Sequence, residues 1–116
     1  MARHRSQRVG ELIKQEVSDL LQKEIKDPRI GFVTITDVEV SGDLRHAKVF
    51  VSILNGKKEE TMEGLQATEG FVRREVGQRI KLRHTPEIIF RYDDSIEKGT
   101  RIFEILENID EDGKDE

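Results

Sequence analysis

The hydrophobic period of the sequence changes around Pro28, and this change limits the folds that the chain can adopt. Before Pro28 the apolar residues recur at the spacing of a helix that ends near Glu24: Val9, Leu12, Ile13, Val17, Leu20 and Leu21. Pro28 prevents the helix from continuing, because it lacks an N–H group and disfavours helical geometry in the preceding residue. From Leu44 to Leu54 the apolar residues instead alternate on one face: Ala47, Val49, Val51 and Ile53. The pattern predicts an α+β protein in which a helix precedes a β-hairpin with one buried face.

Turn residues and further periodic runs complete the predicted order of elements. After the hairpin, the runs predict in chain order a helix over 60–68, a second helix that ends at Thr85-Pro86, a strand over 87–92 and a last helix with apolar residues at Ile102, Ile105, Leu106 and Ile109. Gly70 interrupts the helical run and predicts a kink between the first two of these helices. Asp94, followed by Glu97, resembles a capping box for the last helix. We therefore predict one domain over residues 1–109, ordered α-β-β-α-α-β-α around a three-stranded sheet, with a flexible basic arm at 1–5 and a disordered acidic tail at 110–116.

Composition and charge exclude several kinds of site. The 116 residues contain no cysteine, so the chain has neither a disulfide framework nor a thiolate metal site. No apolar run approaches the roughly 18 residues of a membrane span, and the N-terminus lacks the apolar run of a signal peptide, so we expect a soluble cytoplasmic protein. Residues 1–92 hold 17 Lys and Arg against 14 Asp and Glu, whereas residues 93–116 hold 3 against 10. The mildly basic body can bind nucleic acid despite the net charge of -4, because salt screens charges beyond about 8–10 Å.

Groups that could support catalysis or bind a metal are scattered along the sequence. His4, His46 and His84 fall in different predicted elements and show no metal-ligand spacing. The pair Asp93-Asp94 could hold a hard cation, but two acids before a helix more often form a turn and a cap. The chain has no glycine-rich phosphate loop and no G-x-S-x-G nucleophile motif. We expect a protein that is not an enzyme and that needs no cofactor.

Glu16 projects into the apolar stripe of the first predicted helix and allows two interpretations. Its carboxylate can extend along the edge of the stripe toward a basic neighbour, or it can be a functional acid. The first interpretation is favoured, because the nearby sequence supplies no partner for a functional acid.

Between Phe71 and Arg83 five basic residues stand against a single acid, Glu75: Arg73, Arg74, Arg79, Lys81 and Arg83. At helical spacing Val72, Val76 and Ile80 form one stripe, and basic residues gather on another side of the helix. Guanidinium groups match phosphate oxygens bidentately, so this segment predicts binding to an RNA backbone. The full predicted RNA-binding set comprises Arg3, Arg5, Arg8, Arg29, Arg45, Lys48, Arg73, Arg74, Gly77, Arg79, Lys81 and Arg83. The alternative interpretation of the basic run is a solvated helix face without a ligand.

Gly77 lies on the basic side of its predicted helix and also allows two interpretations. A phosphate or sugar could approach its backbone closely, or its small size could allow the helix to pack against the first helix. The sequence does not distinguish between them.

Two helices joined at a glycine after a hairpin resemble a type II KH domain, an RNA-binding fold in which a G-x-x-G turn joins those helices. No G-x-x-G stands at the junction in this chain. Over about residues 6–102 the chain instead resembles the bacterial ribosome-binding factor A family. The residues that carry this resemblance are Gln7-Arg8-Val9, K-D-P-R-I-G at Lys26–Gly31, V-S-G-D-L at Val40–Leu44, A-K-V at Ala47–Val49, G-F-V-R at Gly70–Arg73, Leu82-Arg83, Pro86-Glu87 and Y-D-D-S-I at Tyr92–Ile96.

The resemblance implies a KH-like domain that binds 16S ribosomal RNA on the immature small (30S) subunit. In the family this binding belongs to late maturation and rRNA processing and supports growth in the cold. We expect a monomer, and the resemblance leaves open whether an assembly GTPase takes part. In the family an Ala-x-Gly helical kink replaces the G-x-x-G turn, and this chain has Thr68-Glu69-Gly70 there. Thr68 departs from the pattern but can accompany a kink by bonding to a carbonyl one turn earlier, and Glu69 places an acid beside the predicted RNA face.

The alternative function is a protein–protein adaptor whose basic helix face binds an acidic protein. An RNA-processing enzyme would need a carboxylate or histidine cluster, which this order of elements does not assemble.

Overall fold

The computed structural model describes residues 2–95, with side-chain environments from residue 5 onward. Six elements follow one another in this part of the chain: α1 (Ala2–Lys23), β1 (Val33–Val40), β2 (His46–Ile53), α2 (Lys58–Ala67), α3 (Glu69–Arg79) and β3 (Glu87–Tyr92). The prediction of an α+β domain ordered α-β-β-α-α-β with a three-stranded sheet is confirmed. The predicted last helix and acidic tail lie outside the described residues.

The strands form one sheet in the order β1-β2-β3. β1 and β2 are antiparallel, as the predicted hairpin requires, and β2 and β3 are parallel. A parallel pair needs a long crossover connection, which the α2–α3 helix pair supplies. The β1–β2 register skips Thr36, which forms a bulge between Ile35 and Asp37. The Thr36 hydroxyl donates a hydrogen bond to Asp93 Oδ2, just beyond β3, at 2.6 Å.

The core lies between one face of the sheet and the helices. Ala47, Val49 and Val51 of β2 are fully buried, with Phe90 of β3 beside Val49. α1 packs over β1, whereas α2 and α3 pack over β3. The helices contribute Val9, Ile13, Val17, Leu20, Leu65, Val72 and Val76 to this core. Burial of one such side chain contributes roughly 1.5–3 kcal/mol, so this interface is the main source of stability. Leu12 is the exception in the predicted α1 stripe, because it is 47% exposed.

The N-terminal segment differs from the prediction. α1 begins at Ala2, so residues 2–5 belong to a helix rather than to the expected flexible arm. The segment contains no proline or glycine, and alanine and arginine are among the best helix formers. Extending an existing helix by one residue adds one hydrogen bond without a new nucleation step. The predicted contact residue Arg3 lies in this helical extension, outside the residues whose side chains are described.

A kink separates α2 from α3, as predicted, but it is centred on Thr68 rather than on Gly70. The Thr68 hydroxyl donates to Leu65 O at 2.6 Å, which confirms the predicted bond to a carbonyl one turn earlier. Gly70 is exposed within the first turn of α3, and a Cβ added there would meet no atom within 4 Å. The break therefore depends on the threonine side chain and not on the conformational freedom of the glycine.

Candidate nucleic-acid interface

One side of α3 is buried in the core, and another side is basic and exposed. Val72 and Val76 are fully buried and Ile80, which ends the helix, is 7% exposed. Arg73 and Arg74 are exposed on the other side. The predicted two-sided helix is therefore present, and its basic side is accessible.

The loop between α3 and β3, residues 80–86, is held against α3. Arg73 Nη2 donates to Thr85 O at 3.1 Å. One turn further along α3, a Cβ added at Gly77 would lie 2.7 Å from Thr85 Oγ1. Lys81 and Arg83 are exposed in this loop, so the contacts with Thr85 hold their backbone near the basic side of α3.

Gly77 is explained by Thr85 and by neither predicted interpretation. The neighbour that requires its small size is the α3–β3 loop, not α1, and the same threonine occupies the space that an RNA phosphate would need. Gly77 therefore anchors a loop that carries cations, and we leave it out of the candidate contact set.

Arg79 faces α1 instead of solvent. Its Nη1 contacts Glu16 Oε2 at 3.2 Å and Asp19 Oδ2 at 3.0 Å, and its Nη2 contacts Glu24 Oε1 at 2.9 Å. Hydrogen bonds from Lys23 and from Arg79 hold the pKa of Asp19 below its usual value. The favoured interpretation of Glu16, a carboxylate that reaches a basic neighbour, is confirmed. Arg79 joins the end of α3 to α1, and three carboxylates already occupy its guanidinium group.

Arg29 is also compensated by neighbouring groups. Its guanidinium forms a bidentate contact with the Asp27 carboxylate, from Nε to Oδ1 at 3.1 Å and from Nη2 to Oδ2 at 2.7 Å. The backbone N–H of Arg29 also donates to Asp27 Oδ1 at 2.9 Å. The Arg29 guanidinium is the main reason that the pKa of Asp27 lies below its usual value. These bonds shape the turn after Pro28 and leave Arg29 with less charge to offer a phosphate.

The remaining predicted cations are exposed and form no ion pair with any residue in the described part of the chain: Arg5, Arg8, Arg45, Lys48, Arg73, Arg74, Lys81 and Arg83. We call this set the basic surface. Its members come from several elements that meet at one end of the sheet. Glu87 N–H, at the end of the α3–β3 loop, donates to Arg45 O at 2.8 Å. Gly10 of α1 packs close to Val38 and Val40 of β1, near the same hairpin end.

Glu69 does not present its carboxylate to this surface. Its Oε2 accepts the backbone N–H of Phe90 in β3 at 2.8 Å. The acid that was expected to oppose RNA therefore joins the start of α3 to the sheet. Spacing within the sequence gave no signal for this bond, because its two ends lie 21 residues apart.

A cleft of about 440 Å³ lies beside the kink, between α2–α3 and the turn after α1. Thr68 and Phe71 form one wall, and residues 24–28 form the other. The K-D-P-R-I-G segment approaches α2 closely, since a Cβ added at Gly64 would lie 2.8 Å from Ile30 Cγ1. Two segments that carried the family resemblance are thus brought together.

Asp93, one of the two acids that could hold a cation, forms hydrogen bonds within the domain. The Asp93 carboxylate accepts the Thr36 hydroxyl and the Ser95 N–H, at 2.6 and 2.9 Å, in agreement with the predicted turn. Within residues 2–95 no group of three His, Cys, Asp or Glu residues is placed to hold a metal ion. In the same range no helix has the length and apolar character needed to cross a bilayer.

Known proteins resemble the chain over most of its length. The family model of ribosome-binding factor A matches residues 5–106. The Ribosome-binding factor A of Halothermothrix orenii is 58% identical over 113 residues, which cover 96% of this chain and 93% of that protein. That of Desulfitobacterium hafniense strain DCB-2 is 51% identical over 119 residues and covers 100% of this chain and 95% of its own.

Solved structures share the fold. The crystal structure of ribosome-binding factor A from Thermus thermophilus superposes with a TM-score of 0.68 at 21% identity and covers 75% of this chain and 94% of its own. The solution NMR structure of a candidate ribosome binding factor A from Thermotoga maritima superposes with a TM-score of 0.58 at 34% identity and covers 78% of this chain and 84% of its own. A homology model of Thermus thermophilus ribosome binding factor A, fitted into the cryo-EM map of its complex with 30S, superposes with a TM-score of 0.62 at 20% identity. It covers 72% of this chain and 89% of its own. The KH-like fold is common to these proteins, and this chain belongs to the ribosome-binding factor A family.

Proposed function

We propose that the chain is a non-catalytic assembly factor that binds 16S rRNA on the immature small (30S) ribosomal subunit during late maturation and rRNA processing, and that it supports growth in the cold. The Thermus thermophilus relative fitted into a map of a 30S complex supports the subunit as the partner. In this proposal the chain acts as a monomer, and an assembly GTPase is a further candidate partner.

The observation that carries the proposal is the division of the charges into compensated and accessible groups. Arg29 and Arg79 are occupied by carboxylates, and Glu69 bonds to the sheet. The basic surface is left with exposed guanidinium and ammonium groups on α3, the α3–β3 loop and the hairpin end. Such groups bind phosphates and release counterions, which makes the affinity dependent on salt. RNA shape then supplies the selectivity.

Neutralising part of the basic surface tests this function. The variant Arg74→Gln/Lys81→Gln/Arg83→Gln removes three exposed cations without touching Thr85 or the core. Its affinity for immature small subunits is expected to fall at moderate salt. The slope of log affinity against log salt should become shallower by about 2–3, because each phosphate contact contributes roughly 0.7–0.9.

The matched control is Lys14→Gln/Lys57→Gln/Arg91→Gln, which removes the same charge from exposed positions outside the basic surface. Co-sedimentation with immature subunits at several salt concentrations measures both variants. Equal losses for the two variants, or undiminished binding by the folded test variant, would refute the assignment of the site.

A second experiment separates this function from a protein–protein adaptor. The full chain is used to isolate partners with and without nuclease treatment. Loss of the small-subunit material after nuclease treatment is expected, whereas an acidic protein that stays bound through the basic surface would favour the adaptor.

A further inference from the structure

A groove with no charged side chain among its described lining residues runs along the outer edge of β1. It has a volume of about 500 Å³, and its walls are the end of α1 and the start of β1: Ser18, Leu21, Gln22, Ile30, Gly31, Phe32, Val33, Thr34 and Ile35. In a chain with 38% charged residues such a surface is unusual. Phe32 in this groove is 71% exposed, and its neighbour Leu54 is 63% exposed.

The backbone of β1 is available in the groove. Leu54 N–H donates to Phe32 O at 2.8 Å, so Phe32 and Thr34 direct their backbone groups toward β2. Because these directions alternate along a strand, Val33 and Ile35 direct their N–H and C=O groups outward. No described strand pairs with that side, since β1 is at the edge of the sheet. An unpaired edge is a template for another strand.

The opposite edge of the sheet is protected. The outward N–H of Phe90 in β3 is bonded to the Glu69 carboxylate, and α2 and α3 pack over β3. Only one of the two edges, within residues 2–95, therefore combines free backbone groups with an open groove and exposed apolar side chains.

The chemistry of the groove selects one kind of occupant. A phosphate or an acidic segment would lose water there without gaining a counter-charge from the described lining residues, which is unfavourable. An extended polypeptide can pair its backbone with Val33 and Ile35 and place an uncharged side chain against Leu21 and Phe32, as in other complexes that add a strand to a sheet edge between a strand and a helix.

We propose that the β1 edge and the neutral groove bind an uncharged extended strand of a protein on the same subunit that the basic surface binds. The inference rests on the proposed function for the identity of the assembly. It adds a second contact at the start of β1, an edge strand of the sheet, whereas the basic surface lies toward the hairpin end of the sheet. Such a pair of contacts raises affinity beyond either one alone when both can form together.

Photo-cross-linking in full-length protein tests the occupant. Phe32→p-benzoylphenylalanine places the probe in the groove, and the same replacement at Leu12, an exposed apolar residue outside the groove, is the control. With immature small subunits the Phe32 probe is expected to cross-link to a subunit protein and the Leu12 probe is not. Hydrogen exchange of the 32–36 segment should slow on binding, since the outward amides of Val33 and Ile35 become paired.

A charge placed in the groove provides an independent measurement. Gln22→Glu introduces a carboxylate into the lining, and Gln15→Glu makes the same change two turns earlier on α1, outside the groove. Both positions are exposed, so both variants should fold. Gln22→Glu is expected to weaken subunit binding about tenfold, also at high salt, because an unpaired charge resists burial. Gln15→Glu should leave binding unchanged.

The outcomes separate the two proposals. The strand-binding inference would be overturned if the protein co-sediments with subunits but the Phe32 probe cross-links only to RNA, to a second copy of the chain, to residues 96–116 of the same chain, or to nothing. Such a result would leave the proposed function intact. Wild-type protein that fails to co-sediment would refute the proposed function and this inference together.

Discussion

Replacing Glu69 by alanine should destabilise the domain by removing the bond between α3 and the edge of the sheet. The Glu69 carboxylate is 2.8 Å from the outward N–H of Phe90. A hydrogen bond to a charged group contributes about 1.5–3 kcal/mol, and an acid in the first turn of a helix about 0.3–1 kcal/mol. Alanine regains a few tenths of a kcal/mol in helix propensity. Since Glu69 is only half-buried, the low end of each range applies, and the expected loss is about 1.5 kcal/mol.

Two variants divide this loss between its causes. Glu69→Gln keeps an acceptor for Phe90 and should lose only about 1 kcal/mol, because a neutral hydrogen bond contributes about 0.5–1.5 kcal/mol. Glu59→Ala removes an exposed first-turn acid of α2 and should lose only the dipole contribution, about 0.3–1 kcal/mol. Urea unfolding measures the free energies, and amide hydrogen exchange at Phe90 reports the bond itself. Equal losses for Glu69→Ala and Glu59→Ala, or unchanged exchange at Phe90, would refute this role.

Three further predictions follow from individual contacts. Gly77→Ala should increase the free energy of unfolding by the roughly 0.5–1 kcal/mol expected for a helical alanine only when Thr85→Ala removes the hydroxyl 2.7 Å from the new Cβ. Additive effects of the two substitutions on the free energy of urea unfolding would contradict this. Arg79→Met should destabilise the domain at pH 7, because Glu16, Asp19 and Glu24 lose the guanidinium that they share, and this loss should shrink as the pH falls through the lowered pKa of Asp19; Arg79→Lys should rescue part of it, whereas a loss of RNA binding in the folded variant would make Arg79 a contact. The Thr36 hydroxyl lowers the pKa of Asp93 below 3.8, so it stabilises the fold above that pH and the stabilisation is lost as the pH falls through the lowered pKa. The Thr36→Val protein should therefore be less stable than wild type at pH 6. A difference in the free energy of unfolding that persists below the lowered pKa of Asp93 would show another cause.

The sequence predicted the elements of the described domain because each depends on a local pattern. The helical spacing of Val9, Ile13 and Val17 and the alternation of Ala47, Val49 and Val51 correspond to buried faces in the structure. The kink was predicted from Gly70, whereas the structure centres it on Thr68, whose hydroxyl bonds within its own helical turn. Local chemistry was less informative at the N-terminus, where good helix formers continue α1 to Ala2.

The predicted site residues that stay candidates for RNA contact are those whose side chains have no distant partner among the described residues. Arg79 looked equivalent to Arg74 within its helix, yet acids about 60 residues earlier in the chain occupy it. Glu69 and Gly77 were likewise assigned to the RNA face, but their partners are Phe90 and Thr85. These pairings depend on how α3 packs against α1 and β3, which periodicity within one segment does not reveal.

The central claim is that the basic surface contacts 16S rRNA on immature small subunits, and a cross-linking map tests it most directly. Arg74→p-benzoylphenylalanine places a probe on the exposed side of α3, and Lys14→p-benzoylphenylalanine places one on the exposed side of α1. The account predicts cross-links from position 74 to a defined region of 16S rRNA, more abundant with immature than with mature subunits, and few from position 14. Cross-links from position 74 to protein alone, or equal RNA cross-links from both positions, would contradict it.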